Sequence, residues 1–242
     1  CLVGSEMCIR DRADRKLEKE TWNKDRAMFN LMYPAEDVVK FLKRNYKQPE
    51  DKTILDFGCG SGRNTVLMSD MGFEKIIAMD YNEDCLKLTK EKLLGKNNVE
   101  YIKNERLTIS LPDESVDCIV AWGALYFFTG EERKQFAKEL YRVLKPNGMV
   151  VADFRGKEDA MYGQGKLVEN DMFLLDERAG HMKNFIYWFS NDDDLRKLFE
   201  ETPFSIENME RNLQWSNNMQ TKVDHYITCL LYTSPSPRDT ER

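Results

Sequence analysis

The chain has 242 residues and carries 42 Asp and Glu against 36 Lys and Arg, which gives a formal net charge of −6. An acidic chain is a poor electrostatic match for a phosphate backbone, so nucleic acid is a disfavoured partner. Its apolar runs all fall short of the roughly 18 residues that a membrane-spanning helix requires. We therefore expect a protein that acts neither on nucleic acid nor within a membrane.

The two ends of the chain are related at the level of DNA rather than of protein. Codons for residues 2–11 can be chosen so that their reverse complement encodes residues 229–239. Such an inverted repeat resembles the adapter that transposase-based sequencing libraries attach to both ends of a DNA fragment. We therefore expect residues 1–12 and 229–242 to be adapter-derived, and we take residues 13–228 as the natural fragment.

Cysteine usage indicates a reducing compartment. Three of the six cysteines lie in the expected adapter-derived ends, and Cys59, Cys85 and Cys118 remain. These three are odd in number, widely spaced and in no metal-like pattern. We expect a cytoplasmic protein without a metal site.

Residues 13–50 are predicted to form an N-terminal helical cap, in which Pro34 opens a helix that runs to about Tyr46. From residue 51 to residue 154, short apolar strands alternate with helices. The strands are predicted at 53–57, 75–79, 99–103, 116–121 and 149–154, and the helices at 63–71, 83–94 and 130–143.

Capping residues mark the starts of two of these helices. Asn82 precedes the helix at 83–94, and Thr129 with Glu132 forms a capping box for the helix at 130–143. Strands that alternate with helices predict an α/β fold with a mostly parallel sheet and helices on both faces.

After the fifth strand the pattern changes. Residues 155–190 are rich in glycine and polar residues, and we expect them to form an insert on the substrate side of the core. Residues 191–228 are predicted to complete a seven-stranded sheet in a single domain. The elements predicted there are a helix at 192–201 and an antiparallel hairpin of strands at 204–211 and 223–228.

The stretch ILDFGCGSGRNT, at residues 54–65, carries the clearest chemical signal. A buried strand ends at Asp56, and Gly58, Gly60 and Gly62 follow at alternate positions before a helix begins. Glycines in such a turn let a ligand approach the backbone closely. Open α/β sheets place their ligands at this carboxyl end of the strands.

The glycine spacing and two acidic residues distinguish a dinucleotide from a cationic ligand as the molecule bound at this loop. The dinucleotide fingerprint G-x-G-x-x-G would require glycine at position 63, where the chain has Arg63. Asp56 is a poor neighbour for an anionic pyrophosphate, but it suits a cationic ligand such as S-adenosylmethionine. Asp80, at the end of the second strand, is placed to accept hydrogen bonds from both hydroxyls of a ribose. A nicotinamide-dependent reductase is the disfavoured alternative.

On these residues the chain resembles the class I S-adenosylmethionine-dependent methyltransferases. The resembling segments span about half of the natural fragment, in the family's order and spacing. They are ILDFGCGSGRNT (54–65), IIAMDYN (76–82), VEYIKNERL (99–107), LPDESVDCIVAWGALYFF (111–128) and ELYRVLKPNGMVVADF (139–154). The resemblance implies a Rossmann-like fold, S-adenosyl-L-methionine as the cofactor and methyl transfer as the reaction.

The resemblance also implies a set of cofactor-binding residues. These are Asp56, Gly58, Cys59, Gly60, Gly62, Asp80, Tyr81, Glu105, Arg106, Ala121 and Trp122. The glycine loop would line the methionine moiety, Asp80 would hold the ribose, and Glu105 would meet the adenine amino group. Two positions depart from the family's usual pattern, since Glu105 replaces an aspartate and Arg106 replaces a small residue.

The acceptor side carries weaker signals. A general base is needed only if the acceptor must lose a proton, as a hydroxyl does. Candidates lie in or beside the insert: Asp153, Arg155, Asp159, Tyr162 and His181, of which Arg155, Tyr162 and His181 are the catalytic candidates. Residues 154–165 resemble a segment of bacterial small-molecule methyltransferases, some of them linked to glycan synthesis. A small-molecule acceptor is therefore expected, with a sugar or glycan precursor as one option.

The N-terminal cap supplies candidates for a cover over the cofactor. Residues 33–36 are expected to cap it, and Trp22 is expected to belong to a lid. Ordinary helix packing is the alternative interpretation for both.

Absent motifs narrow the acceptor class. The loop after the fourth strand reads AWGA, not the Asn/Asp-Pro-Pro-Tyr tetrad of amino-methylating nucleic-acid enzymes, and no cysteine stands where a pyrimidine methylase needs its nucleophile. We predict a methyltransferase that acts on a small molecule. A protein or RNA methyltransferase and a non-catalytic accessory protein that binds S-adenosylmethionine are the alternatives.

Overall fold

A computed structural model of the chain describes residues 14–232, apart from residues 15, 19, 22–29, 106, 201 and 203. The strands are β1 (Thr53–Phe57), β2 (Lys75–Asp80), β3 (Val99–Lys103), β4 (Val116–Ala121), β5 (Leu144–Gly156), β6 (Lys166–Glu169), β7 (Met172–Leu174), β8 (Ile186–Ser190), β9 (Phe204–Ser216) and β10 (Thr221–Tyr232). The helices are α1 (Glu36–Asn45), α2 (Arg63–Met71), α3 (Glu83–Lys92), α4 (Gly130–Val143) and α5 (Asp192–Glu200), with 3₁₀ helices at Leu125–Phe127 and Glu177–Met182.

The main sheet has the predicted parallel core and the predicted antiparallel end. Strands β3, β2, β1, β4 and β5 follow one another in parallel pairs. Strand β10 pairs antiparallel with β5, and β9 pairs antiparallel with β10. These seven strands are the seven predicted from the sequence. The predicted fold class, α/β with a C-terminal hairpin, is confirmed.

The insert after β5 adds three short strands that the sequence pattern did not predict. Strands β6, β7 and β8 pair antiparallel in sequence order, and β8 joins β5 in parallel where Phe189 pairs with Arg155. On the other side of β5, Arg155 pairs with His225 of β10. Since β4 pairs with β5 only as far as Ala152, β8 takes over the same edge beyond the end of β4. The insert therefore sits at the carboxyl end of the parallel strands.

Helices cover both faces of the sheet, as predicted. On one face, α1 and α2 pack Val38, Leu42 and Met68 against apolar residues of the central strands, among them Ile54 and Val151. On the other face, α4 and α5 contribute the buried residues of a larger core: Phe136, Ala137, Leu140, Val143, Leu195 and Phe199. No helix within the described residues is long and apolar enough to cross a membrane.

Both predicted helix caps are confirmed. The side chain of Asn82 accepts hydrogen bonds from the backbone N–H groups of Asp84 and Cys85, at 2.9 and 3.4 Å. The Thr129 hydroxyl accepts from the Glu132 N–H, and the Glu132 carboxylate accepts from the Thr129 N–H at 2.7 Å. Because these caps satisfy N–H groups that have no partner inside the helix, they fix where α3 and α4 begin.

Strand β10 continues without a break through residue 228, the predicted end of the natural fragment. Cys229, Leu230 and Leu231 pair with Val151, Val150 and Met149 of β5. The division of the chain into natural and adapter-derived residues stays a prediction.

Removal of the α4 capping box gives a direct test of this local interpretation. Thr129→Ala should lower the free energy of unfolding by about 1 kcal/mol, because the Glu132 N–H loses its partner at a half-buried helix end. Urea unfolding followed by circular dichroism measures this change. Lys138→Ala, on the exposed face of the same helix, is the matched control. Equal stability of the two variants would contradict the role of the cap.

Candidate functional site

The glycine loop between β1 and α2 is held in a left-handed backbone conformation. Gly58, Gly60 and Gly62 have φ values of +70°, +55° and +82°. A Cβ atom at Gly62 would stand 2.6 Å from Thr89 Cγ2, whereas one at Gly60 would meet nothing within 4 Å. Glycine is thus required by packing at Gly62, and the backbone at Gly60 is left open to a ligand.

Asp56 lies at the end of β1, fully buried beneath this loop. Its Oδ2 accepts a hydrogen bond from the Thr65 hydroxyl at 2.6 Å. Burial raises the pKa of the Asp56 carboxyl to about 7, although the Thr65 hydrogen bond opposes the shift. A carboxylate in this position favours any ligand that brings a positive charge into the loop.

Asp80 lies at the end of the neighbouring strand β2 and ties the two strand ends together. Its Oδ2 accepts from the Gly60 N–H at 2.9 Å, and its Oδ1 accepts from the Asn82 N–H at 2.8 Å. Burial raises its pKa to about 6 against the lowering effect of these backbone hydrogen bonds. Each carboxylate oxygen can accept a further hydrogen bond, so the side chain can still receive two ligand hydroxyls.

The segment before α1 lies against the glycine loop. The Ser61 hydroxyl donates to the Leu31 carbonyl at 3.2 Å, and the Ala35 N–H donates to Asn64 Oδ1 at 3.1 Å. Tyr33, between these two anchors, is 83% exposed. The structure therefore places the segment that includes Tyr33 and Ala35 beside the glycine loop, and the prediction that residues 33–36 cap the cofactor stays a prediction.

The remaining residues predicted to bind the cofactor differ in their burial and in the face of the sheet on which they lie. Trp122 follows β4 and packs on the same face of the sheet as α1, whereas the Ala121 side chain is buried in the core of the opposite face. Tyr81 follows Asp80 directly and is half-buried, and Glu105 is exposed after β3. Arg106, like the predicted lid residue Trp22, lies outside the described residues.

A second polar group stands at the carboxyl ends of β4 and β5. Asp153 is 3% exposed, and its Oδ1 accepts from the Gly123 N–H at 2.5 Å. Its Oδ2 lies 2.8 Å from Nε2 of His225 on β10. The Trp122 and His225 rings are 5.5 Å apart in an edge-to-face arrangement. Arg155 lies two residues further along β5, directly opposite His225.

His225 is the residue that the sequence analysis missed. It is 72 positions from Asp153 in the chain, so only the register between β5 and β10 brings the two together. The sequence did contain one indication of this site. Asp153 and Arg155 are polar residues on one face of a strand whose carboxyl end lies near the glycine loop. Without the partner strand's register, the histidine could not be assigned to them.

The other acceptor-side candidates have separate surroundings. The Tyr162 hydroxyl donates to Asp171 Oδ1 at 2.7 Å, and His181 is exposed on the second 3₁₀ helix. Asp159 accepts from the backbone N–H groups of Met161 and Asp224, which gives it a structural role. Of the three catalytic candidates, Arg155 is the one that lies directly opposite His225 in the strand register.

Clusters of metal-ligating side chains are absent from the part of the chain that the structure describes. It contains no group of three or more His, Cys, Asp or Glu side chains that could hold a metal ion. The polar groups at the sheet edge are instead suited to bind an organic ligand with cationic and hydroxyl-bearing parts.

Comparison with known proteins gives a family match over the glycine loop and the strands around it. Residues 54–148 match the family described as methyltransferase domain. An uncharacterized methyltransferase of Schizosaccharomyces pombe is 35% identical over 116 residues, covering 48% of this chain and 43% of the relative. The ubiquinone/menaquinone biosynthesis C-methyltransferase UbiE of Escherichia fergusonii is 36% identical over 109 residues, covering 43% of each. The chain thus spans less than half the length of these two relatives.

Solved structures extend the likeness of the fold to most of the chain. A S-adenosylmethionine-dependent methyltransferase from Methanosarcina mazei has a TM-score of 0.68 at 19% identity, over 84% of this chain and 99% of that one. A methyltransferase structure from Aquifex aeolicus has a TM-score of 0.56 at 22% identity, over 91% of this chain and 98% of that one. At these identities the likeness establishes the fold.

The buried carboxylate of Asp56 predicts a pH-dependent difference in stability. Its pKa rises on folding from 3.8 to about 7, so the carboxyl contributes stability at low pH that is lost as the pH rises through about 7. Asp56→Asn does not titrate and keeps an acceptor for Thr65. The variant should therefore gain stability relative to the parent chain between pH 5 and pH 8.

Urea unfolding of both proteins at the two pH values measures this gain in the absence of ligand. The exposed Asp51→Asn variant is the control for a general effect of removing one negative charge. A stability difference between Asp56→Asn and the parent that does not change with pH would show that Asp56 is ionised in the folded chain at both values.

Proposed function

We propose that this chain, a class I S-adenosylmethionine-dependent methyltransferase by its family match and its fold, transfers a methyl group from S-adenosylmethionine to a small-molecule acceptor. The family match and the fold confirm the family and the cofactor predicted from the sequence. Neither the family match nor the fold identifies the acceptor, so the proposal of a small molecule depends on the residues of the site.

The observation that carries the proposal is the pair of buried carboxylates beside an open glycine loop. Asp56 and Asp80 end adjacent parallel strands, and burial raises the pKa of both. S-adenosylmethionine has a cationic sulfonium, a cationic ammonium and a ribose diol, which are complementary to these groups. The loop fits this ligand because Gly60 presents backbone with free space in front of it.

The residues of the chain have distinct roles in this arrangement. Asp80 would accept the ribose hydroxyls, the backbone from Gly58 to Gly62 would pack against the methionine moiety, and Trp122 would form the wall toward the acceptor. S-adenosylmethionine, when bound, supplies a methyl group that is already activated, so correct positioning provides much of the catalysis.

The aromatic residues of the insert, beside the carboxyl ends of β4 and β5, support the proposal of a small-molecule acceptor. The insert packs Tyr187 and Phe189 of β8 with Tyr126 and Phe127 into one aromatic cluster next to the loop after β4. This cluster lies above the carboxyl ends of β4 and β5, where the acceptor must enter. Side chains of the same domain therefore border that end of the site on the side of the insert. The relatives named for ubiquinone and menaquinone biosynthesis act on small molecules, which agrees with this proposal.

Removal of the Asp80 carboxylate should weaken cofactor binding. Asp80→Ala is expected to raise the Kd for S-adenosylmethionine roughly 10- to 100-fold, because two charge-assisted hydrogen bonds are lost. Calorimetric titration measures the Kd, with NAD as the ligand that should not bind. Asp70→Ala, on the exposed end of α2, is the matched control. Unchanged binding in Asp80→Ala would contradict the proposed site.

The acceptor class is tested by following the label from methyl-tritiated S-adenosylmethionine. With a cell extract as the acceptor source, labelled products that separate chromatographically from S-adenosylmethionine should appear in the fraction that passes a 3-kDa filter. The same reaction with Asp80→Ala is the control for enzymatic transfer. Label retained in the protein or RNA fraction would contradict a small-molecule acceptor.

A further inference from the structure

A row of polar side chains continues the cofactor loop toward the insert on one face of the sheet. Asp56 pairs with Val120 of β4, and Val120 pairs with Val151 of β5. Paired residues share a face of a sheet, and so do residues two apart in a strand. Asp153 therefore lies on the same face as Asp56, two strands away and roughly 10 Å across the sheet.

His225 is held on this face in a defined orientation. Its Nε2 lies 2.8 Å from the buried Asp153 carboxylate, which also accepts the Gly123 N–H. A carboxylate can only accept, so Nε2 carries the proton in the neutral ring and Nδ1 is the basic nitrogen. Nδ1 has no hydrogen-bond partner among the described residues. A histidine fixed in this way by a carboxylate is arranged as a general base.

Arg155 faces His225 across the β5–β10 pair and has unused donors. Its Nε is buried and lacks a partner, and its Nη2 lies 3.4 Å from Asp159 Oδ2, longer than a hydrogen bond in a tight ion pair. The side chain is only 19% exposed. Buried donors without partners are costly, so a ligand oxygen that meets them would be bound favourably. A planar guanidinium matches a carboxylate or carbonyl oxygen well.

Aromatic rings enclose this polar pair. Trp122 contacts His225 on the side toward the glycine loop. Tyr126 and Tyr187 stack on each other at 4.9 Å, and Phe189 of the same aromatic cluster pairs with Arg155 in the strand register. The group formed by Asp153, Arg155 and His225 thus lies between the cofactor loop and the aromatic cluster of the insert. An acceptor placed there would be within reach of a methyl group held at Trp122.

We propose that Asp153, Arg155 and His225 form the acceptor site, and that the acceptor is a small molecule with a hydroxyl next to a carboxylate or carbonyl group. This inference rests on the proposed function. His225 acts as the general base, Arg155 binds the neighbouring oxygen, and Asp153 is a positioning residue for the imidazole. A sugar without such an oxygen would leave the donors of Arg155 unused.

The proposed step balances without any further reactant. The acceptor O–H bond breaks and its proton passes to Nδ1 of His225. The oxygen forms a new bond to the methyl carbon while the bond from that carbon to sulfur breaks, and the electron pair stays on sulfur. The products are the methyl ether, S-adenosylhomocysteine and a protonated imidazole, which returns its proton to water.

The first test reads the histidine ring directly and requires no turnover. The chain has only two histidines, so ring-¹⁵N-labelled protein gives two sets of signals, and His181→Gln assigns them. His225 should show a protonated Nε2 and an unprotonated Nδ1 at pH 8. Asp153→Asn should reverse this tautomer, because the new amide donates to Nε2 and keeps an oxygen for the Gly123 N–H. A proton on Nδ1 in the parent chain would overturn the assignment of His225 as the base.

The second test uses defined probes in the presence of S-adenosylhomocysteine. Glycolate, 2-hydroxybenzoate and 3-hydroxy-2-naphthoate present a hydroxyl next to a carboxylate at three different sizes. At least one should shift the His225 signals and leave those of His181 in place. Arg155→Gln should weaken that binding tenfold or more, and Arg155→Lys should restore part of it. No shift with any probe, or equal shifts at both histidines, would overturn the acceptor class.

The third test measures turnover with a probe that binds. His225→Gln should lower kcat about 100-fold or more, as expected for loss of a general base, while the Kd for S-adenosylmethionine stays within about twofold. The exposed Asp70→Ala variant, on α2, should keep the parent rate. Full turnover in His225→Gln would overturn the proposal. A parent chain that fails to bind S-adenosylmethionine would instead refute the proposed function, and the ring-tautomer measurement would still decide the role of His225.

Discussion

The hydrogen-bond register of β1, β4, β5 and β10 is the constraint on which the candidate site depends. It places Asp56, Trp122, Asp153 and His225 on one face and at one edge of the sheet. A shift of one residue in any of these pairings would send the side chains of that strand to the opposite core. The large apolar clusters on both faces therefore protect the register and, through it, the geometry of the site.

The cofactor side of the site is built at a cost to the unliganded chain. Two carboxylates are buried at the ends of β1 and β2. The Thr65 hydroxyl offsets only part of the desolvation of Asp56, and the backbone N–H groups of Gly60 and Asn82 offset only part of that of Asp80. A ligand with positive charge and hydroxyl groups would satisfy both. Ligand binding and folding are then linked, so S-adenosylmethionine should stabilise the chain by an amount that grows with the logarithm of its concentration divided by its Kd.

Most of the α/β core could be predicted because its signals are local. Helix α4 begins at its capping box, the glycines of the loop have the left-handed φ values that motivated the prediction, and strands β1, β3 and β4 have the predicted bounds. Each of these features depends on neighbouring residues in the chain. Their physical causes are helix capping, the backbone freedom of glycine and short apolar runs. Each of these causes can be recognised in a short stretch of sequence.

The acceptor side could be predicted only in part because its contacts are long-range. Strands β6, β7 and β8 are three to five residues long, too short to show a clear period, and they are stabilised by pairing with one another and with β5. The His225–Asp153 contact joins residues 72 positions apart. The sequence offered His181 with Arg155 and Tyr162 as catalytic candidates because they lie in or beside the polar insert, whereas the cross-strand register brings His225 to Arg155.

A crystal structure of the chain with bound S-adenosylhomocysteine tests the central claim most directly, because it fixes the direction in which the methyl group would leave. The account predicts the ribose hydroxyls on Asp80, the amino-acid moiety against the glycine loop, and the sulfur beside Trp122 and facing His225. A ligand bound elsewhere, or one whose sulfur faces away from His225, would contradict it.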